Sequence, residues 1–232
     1  MNYSNIKGNL ESIQNRINEA AMRANRDPKD IKLIAVSKTK PNEAILNALE
    51  AGQLHFGENR MQELQSKMDE IPNEQAQWHM IGTMQSNKIK YIAHRVNWIH
   101  SVGKAKYLNE IDKRAGQSDH HVNVLIQINI SDEDQKSGCD IRDLERILEQ
   151  ARQYEHITVK GLMGMARFTN NPEEVRSEFA LLKSAFDSHQ YLNGGNIDLT
   201  ELSMGMSNDF EVAIEEGATM VRIGSAIFGA RN

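Results

Sequence analysis

The segment Ile31-Lys-Leu-Ile-Ala-Val-Ser-Lys38 is a short apolar run bounded by polar, turn-forming residues. Between positions 33 and 36 apolar residues occupy odd and even positions alike, which is typical of a parallel strand covered on both faces. A helical pattern follows at once, opening at Pro41 and stopping at Gly52. Together they predict one strand–helix unit of an α/β fold.

The same unit recurs along the chain. Further strand candidates begin near His55, Gln77, Trp98, Val122, Ile157, Leu199 and Met220, with helical patterns between them. Counted with the first run they make eight strands, and eight parallel strands with intervening helices close into a (β/α)8 TIM barrel. An open, doubly wound α/β sheet is the alternative. Because no linker divides the chain, we expect one domain over residues 1–232, with an extra amphipathic helix in residues 1–28 packed on the barrel.

Composition narrows the functional classes. The 232 residues carry a net charge of −5, which argues against nucleic acid or an anionic membrane as the main partner. The single cysteine, Cys139, excludes an internal disulfide, and no cluster of residues has the spacing of a metal site. No segment resembles a signal peptide or a membrane span, so we expect a cytoplasmic protein without a metal.

Lys38 stands at the predicted C-terminal end of the first strand, the end at which the active sites of barrel folds collect. Burial of a lysine disfavours its charged form, and a neutral amine is a nucleophile. Such an amine forms a Schiff base with an aldehyde such as pyridoxal 5′-phosphate (PLP). The plain alternative is a lysine whose ammonium reaches solvent from the end of the strand.

Two segments near the C-terminus suggest a phosphate site. Ser207 precedes a helical pattern and is expected near its N-cap, where free backbone N–H groups favour an anion. Gly224 and Ser225 follow the eighth strand, where the backbone can approach a phosphate closely and a hydroxyl can donate to it. A serine cap and a packing glycine would explain either segment alone. Their joint position after strands seven and eight, where such barrels commonly bind phosphate, favours the phosphate site.

Arg222 lies within the apolar eighth strand and is expected to point into the barrel. A buried guanidinium needs partners because it cannot discard its charge. A structural ion pair is one explanation. The other is a donor to the pyridine nitrogen of PLP, which would keep that nitrogen unprotonated and the ring a weak electron sink.

Long motifs connect these residues to a known family. They are AVSKTKP at 35–41, FGEN at 56–59, WHMIG at 78–82, LIQINIS at 125–131, GLMGMA at 161–166, LSMGMSNDFEVAI at 202–214 and VRIGSAIFGAR at 221–231. From about residue 10 onward the sequence resembles the pyridoxal phosphate homeostasis protein family. The resemblance implies an alanine-racemase-like barrel, the fold called type III among PLP proteins.

The resemblance also implies roles for individual residues. Lys38 would carry PLP as a Schiff base, Asn59 would lie near the ring, and Arg222 would face the ring nitrogen. The residues implied to hold the phosphate are Ser207, Gly224 and Ser225.

The family is associated with vitamin B6 balance, and no robust catalysis is generally attributed to it. The resemblance therefore implies a PLP-binding carrier or regulator, with PLP-dependent apo-enzymes as recipients. A PLP-dependent amino-acid racemase is the alternative. Racemisation needs proton donors and acceptors on both faces of the substrate. Since no second domain follows the eighth strand unit to supply one, we expect no robust catalysis.

Two further expectations concern assembly and a second amine. No long apolar surface stripe is left over once the barrel is assembled, so we expect a monomer. Lys136, in the loop predicted after strand five, is a candidate second amine that accepts PLP transiently, with a solvated loop charge as the alternative.

Overall fold

The computed structural model describes residues 5–131 and 138–229, so Lys136 lies outside the described residues. Eight parallel strands form a closed barrel in sequence order, and β8 closes the ring against β1. The strands are β1 Lys32–Val36, β2 His55–Glu58, β3 Gln77–Met80, β4 Trp98–Val102, β5 Val122–Gln127, β6 Ile157–Met163, β7 Ile197–Ser203 and β8 Met220–Ile223. The predicted barrel is confirmed, and the alternative of an open sheet is wrong.

Helices alternate with most of the strands. They are α1 Ile6–Arg23, α2 Asn42–Glu50, α3 Met61–Glu70, α4 Ala105–Gly116, α5 Leu144–Ala151, α6 Arg176–Ser188, α7 Phe210–Glu215 and α8 Ser225–Phe228. Between β3 and β4 the chain forms a 3₁₀ helix, Ser86–Tyr91, in place of an α-helix. The sequence signals around α2 are met, since Pro41 is its N-cap residue and Gly52 follows its end with a φ of 91°.

The N-terminal helix α1 packs outside the barrel against α2, α7 and α8. Its buried face consists of Ile6, Leu10, Ile13, Ile17, Ala20 and Ala21. Arg16 and Arg23 form ion pairs with Glu211 and Glu215 of α7 at 2.7 and 3.0 Å. Because exposed ion pairs contribute little, the apolar face supplies most of this attachment.

Apolar side chains fill the space between barrel and helices, and a smaller cluster fills the barrel itself. The inner cluster consists of Ile34, Trp98, Leu125, Met163 and Met220, each from a different strand. Full burial of a side chain of this size contributes about 1.5–3 kcal/mol. Buried polar side chains share the interior, namely His79, His100, Ser203 and Arg222.

Candidate functional site

A cavity of about 230 Å³ opens at the C-terminal ends of the strands, and we call it the Lys38 cavity. Its wall includes the six residues that the sequence suggested for a PLP site around Lys38, namely Lys38, Asn59, Ser207, Arg222, Gly224 and Ser225. The other lining residues are Val36, Lys40, Ile81, Met165, Met206 and Gly229. The fold thus brings together residues that lie up to about 190 positions apart in the sequence.

Lys38 is half-buried and lies beyond the first strand rather than on it. The prediction that the strand extends to Lys38 is wrong, because β1 ends at Val36. The chain turns here: the Lys40 N–H donates to the Ser37 carbonyl at 3.0 Å, and Thr39 has a φ of 64°. Lys38 therefore reaches the cavity from a tight turn.

A charged group supports this turn, and we call Glu58, Glu63 and Lys67 the Lys67 cluster; Glu58 and Lys67 are buried, and Glu63 is partly exposed. The Lys67 Nζ donates to Glu58 Oε1 at 2.6 Å and to Glu63 Oε1 at 2.8 Å. It also donates to the Ser37 carbonyl at 2.8 Å. The Glu58 Oε1 accepts a further bond from the Ser37 hydroxyl at 2.6 Å. Burial raises the pKa of Glu58, with Lys67 as an opposing influence.

Sequence reasoning missed Lys67. Glu63 and Lys67 look like an ordinary surface pair four residues apart on a helix. The available signal was periodicity, because Lys67 falls on the same face of α3 as the buried Met61, Leu64 and Met68. A lysine on an apolar helix face indicates a buried partner.

Arg222 projects from β8, is only 4% exposed and lines the cavity. Its Nη1 donates to the Ser203 hydroxyl at 2.6 Å and its Nη2 donates to the Gly164 carbonyl at 3.0 Å. Both partners are uncharged, and no ion pair to Arg222 occurs within residues 5–131 and 138–229. Burial lowers the pKa of Arg222 to about 10, so it remains a cation at neutral pH. A guanidinium has five N–H groups, which leaves donors for a molecule in the cavity.

Behind Ser203 runs a hydrogen-bonded row of imidazoles, and we call His55, His79 and His100 the histidine chain. The His100 Nδ1 lies 2.9 Å from the Ser203 Oγ, and the His100 Nε2 lies 2.8 Å from the His79 Nδ1. The His79 Nε2 in turn lies 3.0 Å from the His55 Nδ1. Burial is the main cause that lowers the pKa of His55 to about 4 and those of His79 and His100 well below 6.5. The three rings are therefore neutral at pH 7, and each can donate one bond and accept another.

Two hydroxyls stand together at the other side of the cavity. The Ser225 Oγ donates to the Ser207 Oγ at 3.5 Å. The expectation that Ser207 lies near the N-cap of α7 is off by two residues: the N-cap residue is Asp209, whose carboxylate accepts from the Met206 N–H at 2.6 Å. A side chain at Gly224 would crowd Val36, since its Cβ would lie 3.1 Å from the Val36 carbonyl oxygen. The candidate phosphate site therefore consists of the hydroxyls of Ser207 and Ser225 and the small residue Gly224, rather than of the N-terminus of a long helix.

Asn59 lies between the Lys38 cavity and an adjoining recess of about 430 Å³. The two spaces share Asn59, Ile81 and Met165. Gly82 is required here, because a Cβ on it would lie 2.0 Å from the Asn59 carbonyl oxygen. The backbone of Asn59 can therefore occupy this position only because Gly82 has no side chain.

Other classes of site find no support in the part of the chain described. Over those residues no group of three or more His, Cys, Asp or Glu could hold a metal ion. Cys139 is buried, and burial raises the pKa of its thiol to about 11, which suppresses the reactive thiolate. None of the helices described is long and apolar enough to cross a membrane.

Comparisons with known proteins agree with this geometry. The family profile "Alanine racemase, N-terminal domain" matches residues 8–232. The pyridoxal phosphate homeostasis protein of Pseudomonas aeruginosa is 41% identical over 229 residues, covering 99% of this chain and 97% of that protein. The solved structure of PipY from Synechococcus elongatus with PLP bound matches with a TM-score of 0.80 and 35% identity, covering 97% of this chain and all of PipY.

An alanine racemase from Corynebacterium glutamicum shares the fold alone, with a TM-score of 0.66 and 16% identity. This chain spans 61% of that enzyme. On sequence identity over nearly its whole length, the chain belongs to the pyridoxal phosphate homeostasis protein family.

Proposed function

We propose that this chain binds PLP in the Lys38 cavity, as a Schiff base with Lys38, and serves in PLP homeostasis as a carrier or regulator. The observation that carries the proposal is the convergence of an amine, a buried guanidinium and a pair of hydroxyls on one small cavity. Relatives named for PLP homeostasis and the PLP-bound PipY structure support it.

The donors present match the groups of PLP in kind and number. PLP supplies an aldehyde that condenses with a primary amine with loss of water, a pyridine nitrogen that accepts a hydrogen bond, and a phosphate. Lys38 provides the amine, and Arg222 has N–H groups left over for the ring nitrogen. The hydroxyls of Ser207 and Ser225 would donate to the phosphate, and Gly224 leaves room for it. Asn59 would lie beside the ring.

The residues around the cavity are better suited to holding PLP than to catalysing a reaction on it. Arg222 gives a hydrogen bond to the ring nitrogen but hardly a proton, so it would not strengthen the ring as an electron sink. Among the described residues no tyrosine lines the cavity: Tyr107 donates to the Met84 carbonyl and Tyr191 to Glu145. A second acid–base group for a racemase is therefore not provided by these tyrosines.

Exposed side chains at the mouth favour exchange of the ligand. Met165 and Met206 line the cavity and are 38% and 37% exposed. We propose that PLP leaves through this mouth to PLP-dependent apo-enzymes, and that the protein acts as a cytoplasmic monomer.

The binding proposal is tested by trapping the adduct. Protein loaded with PLP is reduced with borohydride, and the modified peptide is located by mass spectrometry. Lys38→Ala should lose the adduct and the yellow absorbance. Lys40→Ala is the matched control, because Lys40 lines the same cavity but its Nζ donates to the Gly229 carbonyl at 3.1 Å. An adduct that persists in Lys38→Ala would overturn the assignment of the Schiff base to Lys38. The same peptide mapping also tests whether Lys136 is modified.

The carrier and racemase alternatives are separated by two measurements. Incubation with alanine or serine in deuterated water should give no catalytic exchange at Cα. Transfer of PLP to an apo-enzyme, in the presence of a trap for free PLP, should exceed the control with free PLP. Repeated turnover in the first measurement would contradict the carrier proposal and favour the racemase alternative.

A further inference from the structure

The Lys67 cluster has an unusual composition for a part of the core. Lys67 is 6% exposed at its side chain, and its three ammonium protons are all used on Ser37, Glu58 and Glu63. One cation therefore faces two carboxylates, and Glu58 Oε2 has no partner among the described residues. Buried ion pairs are poor stabilisers, because the loss of hydration offsets their attraction. Stability alone does not explain why this apolar helix face carries a lysine.

The bonds of the cluster converge on both sides of Lys38. On the N-terminal side, the Ser37 hydroxyl and carbonyl bond to Glu58 and Lys67 at 2.6 and 2.8 Å. On the C-terminal side, the Thr39 N–H donates to Glu63 Oε1 at 2.6 Å. The backbone before and after Lys38 is thus tied to one charged cluster, through buried groups on the Ser37 side and through the partly exposed Glu63 on the Thr39 side.

The turn that is held in this way is strained. Thr39 is branched at Cβ and has a φ of 64°, in the left-handed region that such residues rarely adopt. Residues in such conformations persist where the surroundings over-determine them, and they collect at functional sites. The charge-assisted bond from Thr39 to Glu63 is a suitable restraint, since bonds to ionised groups are the strong ones.

We propose that Glu63 and Lys67 are positioning residues for Lys38, holding its turn so that the amine is presented to the aldehyde of PLP. This rests on the proposed function. Condensation joins the Lys38 nitrogen to the aldehyde carbon and releases water, and its rate depends on the orientation of the amine. The cluster also contains Glu58, the neighbour of Asn59 in the cavity wall.

The test compares two changes at one position. Glu63→Ala removes the acceptor of the Thr39 N–H, whereas Glu63→Gln keeps a carbonyl oxygen there. Each protein is mixed with PLP, and borohydride-trapped adduct is followed over time by intact mass. Total bound PLP and thermal stability are measured on the same samples. We expect adduct formation to slow about tenfold or more in Glu63→Ala. In Glu63→Gln, which keeps the acceptor oxygen but not its charge, the slowing should be smaller than in Glu63→Ala, and both variants should retain noncovalent PLP.

Lys32→Met is the matched control for lost stability. Lys32 forms a half-buried ion pair with Glu201 at 2.7 Å, and it begins β1, so it lies at the opposite end of the barrel from Lys38. This variant should be destabilised without any change in adduct rate. Equal adduct rates in wild type, Glu63→Ala and Glu63→Gln would overturn the positioning role. Absence of an adduct at Lys38 in the wild type would instead defeat the proposed function itself.

Discussion

The Lys67 cluster and the histidine chain both lie behind the Lys38 cavity, and they are built in opposite ways. The cluster concentrates charge, with one ammonium between two carboxylates. The histidine chain holds Arg222 through Ser203 and three imidazoles that burial keeps neutral. One group restrains backbone, and the other supports a cation that faces the cavity.

The difference follows from what each side chain has to do. Under the proposed function Lys38 has to be aimed, and charge-assisted bonds to its neighbours restrain a backbone well. Arg222 would have to keep donors for the ligand, and a carboxylate would occupy them in a bidentate pair. Neutral acceptors such as the Ser203 hydroxyl hold the guanidinium while leaving its charge and several N–H groups available.

The largest loss of stability is expected when the ion pairs of the Lys67 cluster are broken. Lys67→Met leaves Glu58 buried without its cation, which should lower the free energy of unfolding by about 3–5 kcal/mol. Urea denaturation measures this loss. The double variant Glu58→Gln/Lys67→Met should recover most of it, because the fully buried carboxylate is then gone and the remaining one, Glu63, is 22% exposed at its side chain. A double variant as unstable as Lys67→Met would show that shape rather than charge governs this region.

Lowering the pH should reduce the free energy of unfolding mainly through the histidine chain. The pKa values of His79 and His100 are lowered in the fold, so below pH 6.5 the unfolded chain binds protons that the folded chain does not. Stability is then full above pH 6.5 and falls below it. The two histidines together should cost about 3 kcal/mol between pH 7.5 and 5.5. His55, with a pKa of about 4, adds to the loss in the same direction.

Glu58 has the opposite effect, because its contribution to stability increases as the pH falls. Its pKa is raised, so the cost of burying the ionised carboxylate is present at neutral pH and is relieved as the pH falls through the folded value toward 4.5. Urea denaturation of PLP-free protein across this range measures the sum of both effects. His100→Gln should reduce the slope by one proton. Equal slopes in the wild type and in His100→Gln would contradict neutral burial of the His100 imidazole.

Ser203 tests whether the histidine chain serves the cavity as well as the fold. Ser203→Ala removes a partner from both Arg222 and His100, which should cost about 1–3 kcal/mol of stability. It should also weaken PLP binding about tenfold, because the guanidinium loses its fixed direction. Thr219→Val is the control, since its hydroxyl bonds Glu201 and the Leu202 N–H just before the start of β8, at the opposite end of the barrel from the cavity. Equal PLP affinities in the two variants would limit Ser203 to a structural role.

The sequence was sufficient for the barrel because parallel strands buried on both faces appear as continuous apolar runs, as at positions 33–36 of β1. It located β7 less well: the predicted start at Leu199 is two residues late, since the half-buried Asp198 interrupts the apolar pattern. The cavity residues were visible because Lys38 and Arg222 are charged residues in apolar surroundings.

The supporting groups were not visible, because their partners are distant in the sequence. His100 bonds Ser203 over 103 positions, and Lys67 bonds Ser37 over 30. No local pattern specifies such pairs. His79 lies on the predicted third strand, but its place in a chain of three rings depends on the register of β2, β3 and β4.

The smallest effect concerns strain, which distinguishes the turn held by the Lys67 cluster from the regular strands that carry the histidine chain. Left-handed geometry costs an L-residue about 1–2 kcal/mol, and glycine avoids this cost but loses about 0.5–1 kcal/mol through its flexible unfolded state. Thr39→Gly should therefore stabilise the protein slightly, by about 1 kcal/mol or less, in thermal denaturation. Asn25→Gly is the control, since Asn25 also has a positive φ of 54° but is a residue type that tolerates it. If the restraint exists to aim Lys38, the stabilised Thr39→Gly protein should nevertheless form the PLP adduct more slowly. A gain in stability with an unchanged adduct rate would mean that the strained turn contributes nothing to the presentation of the amine.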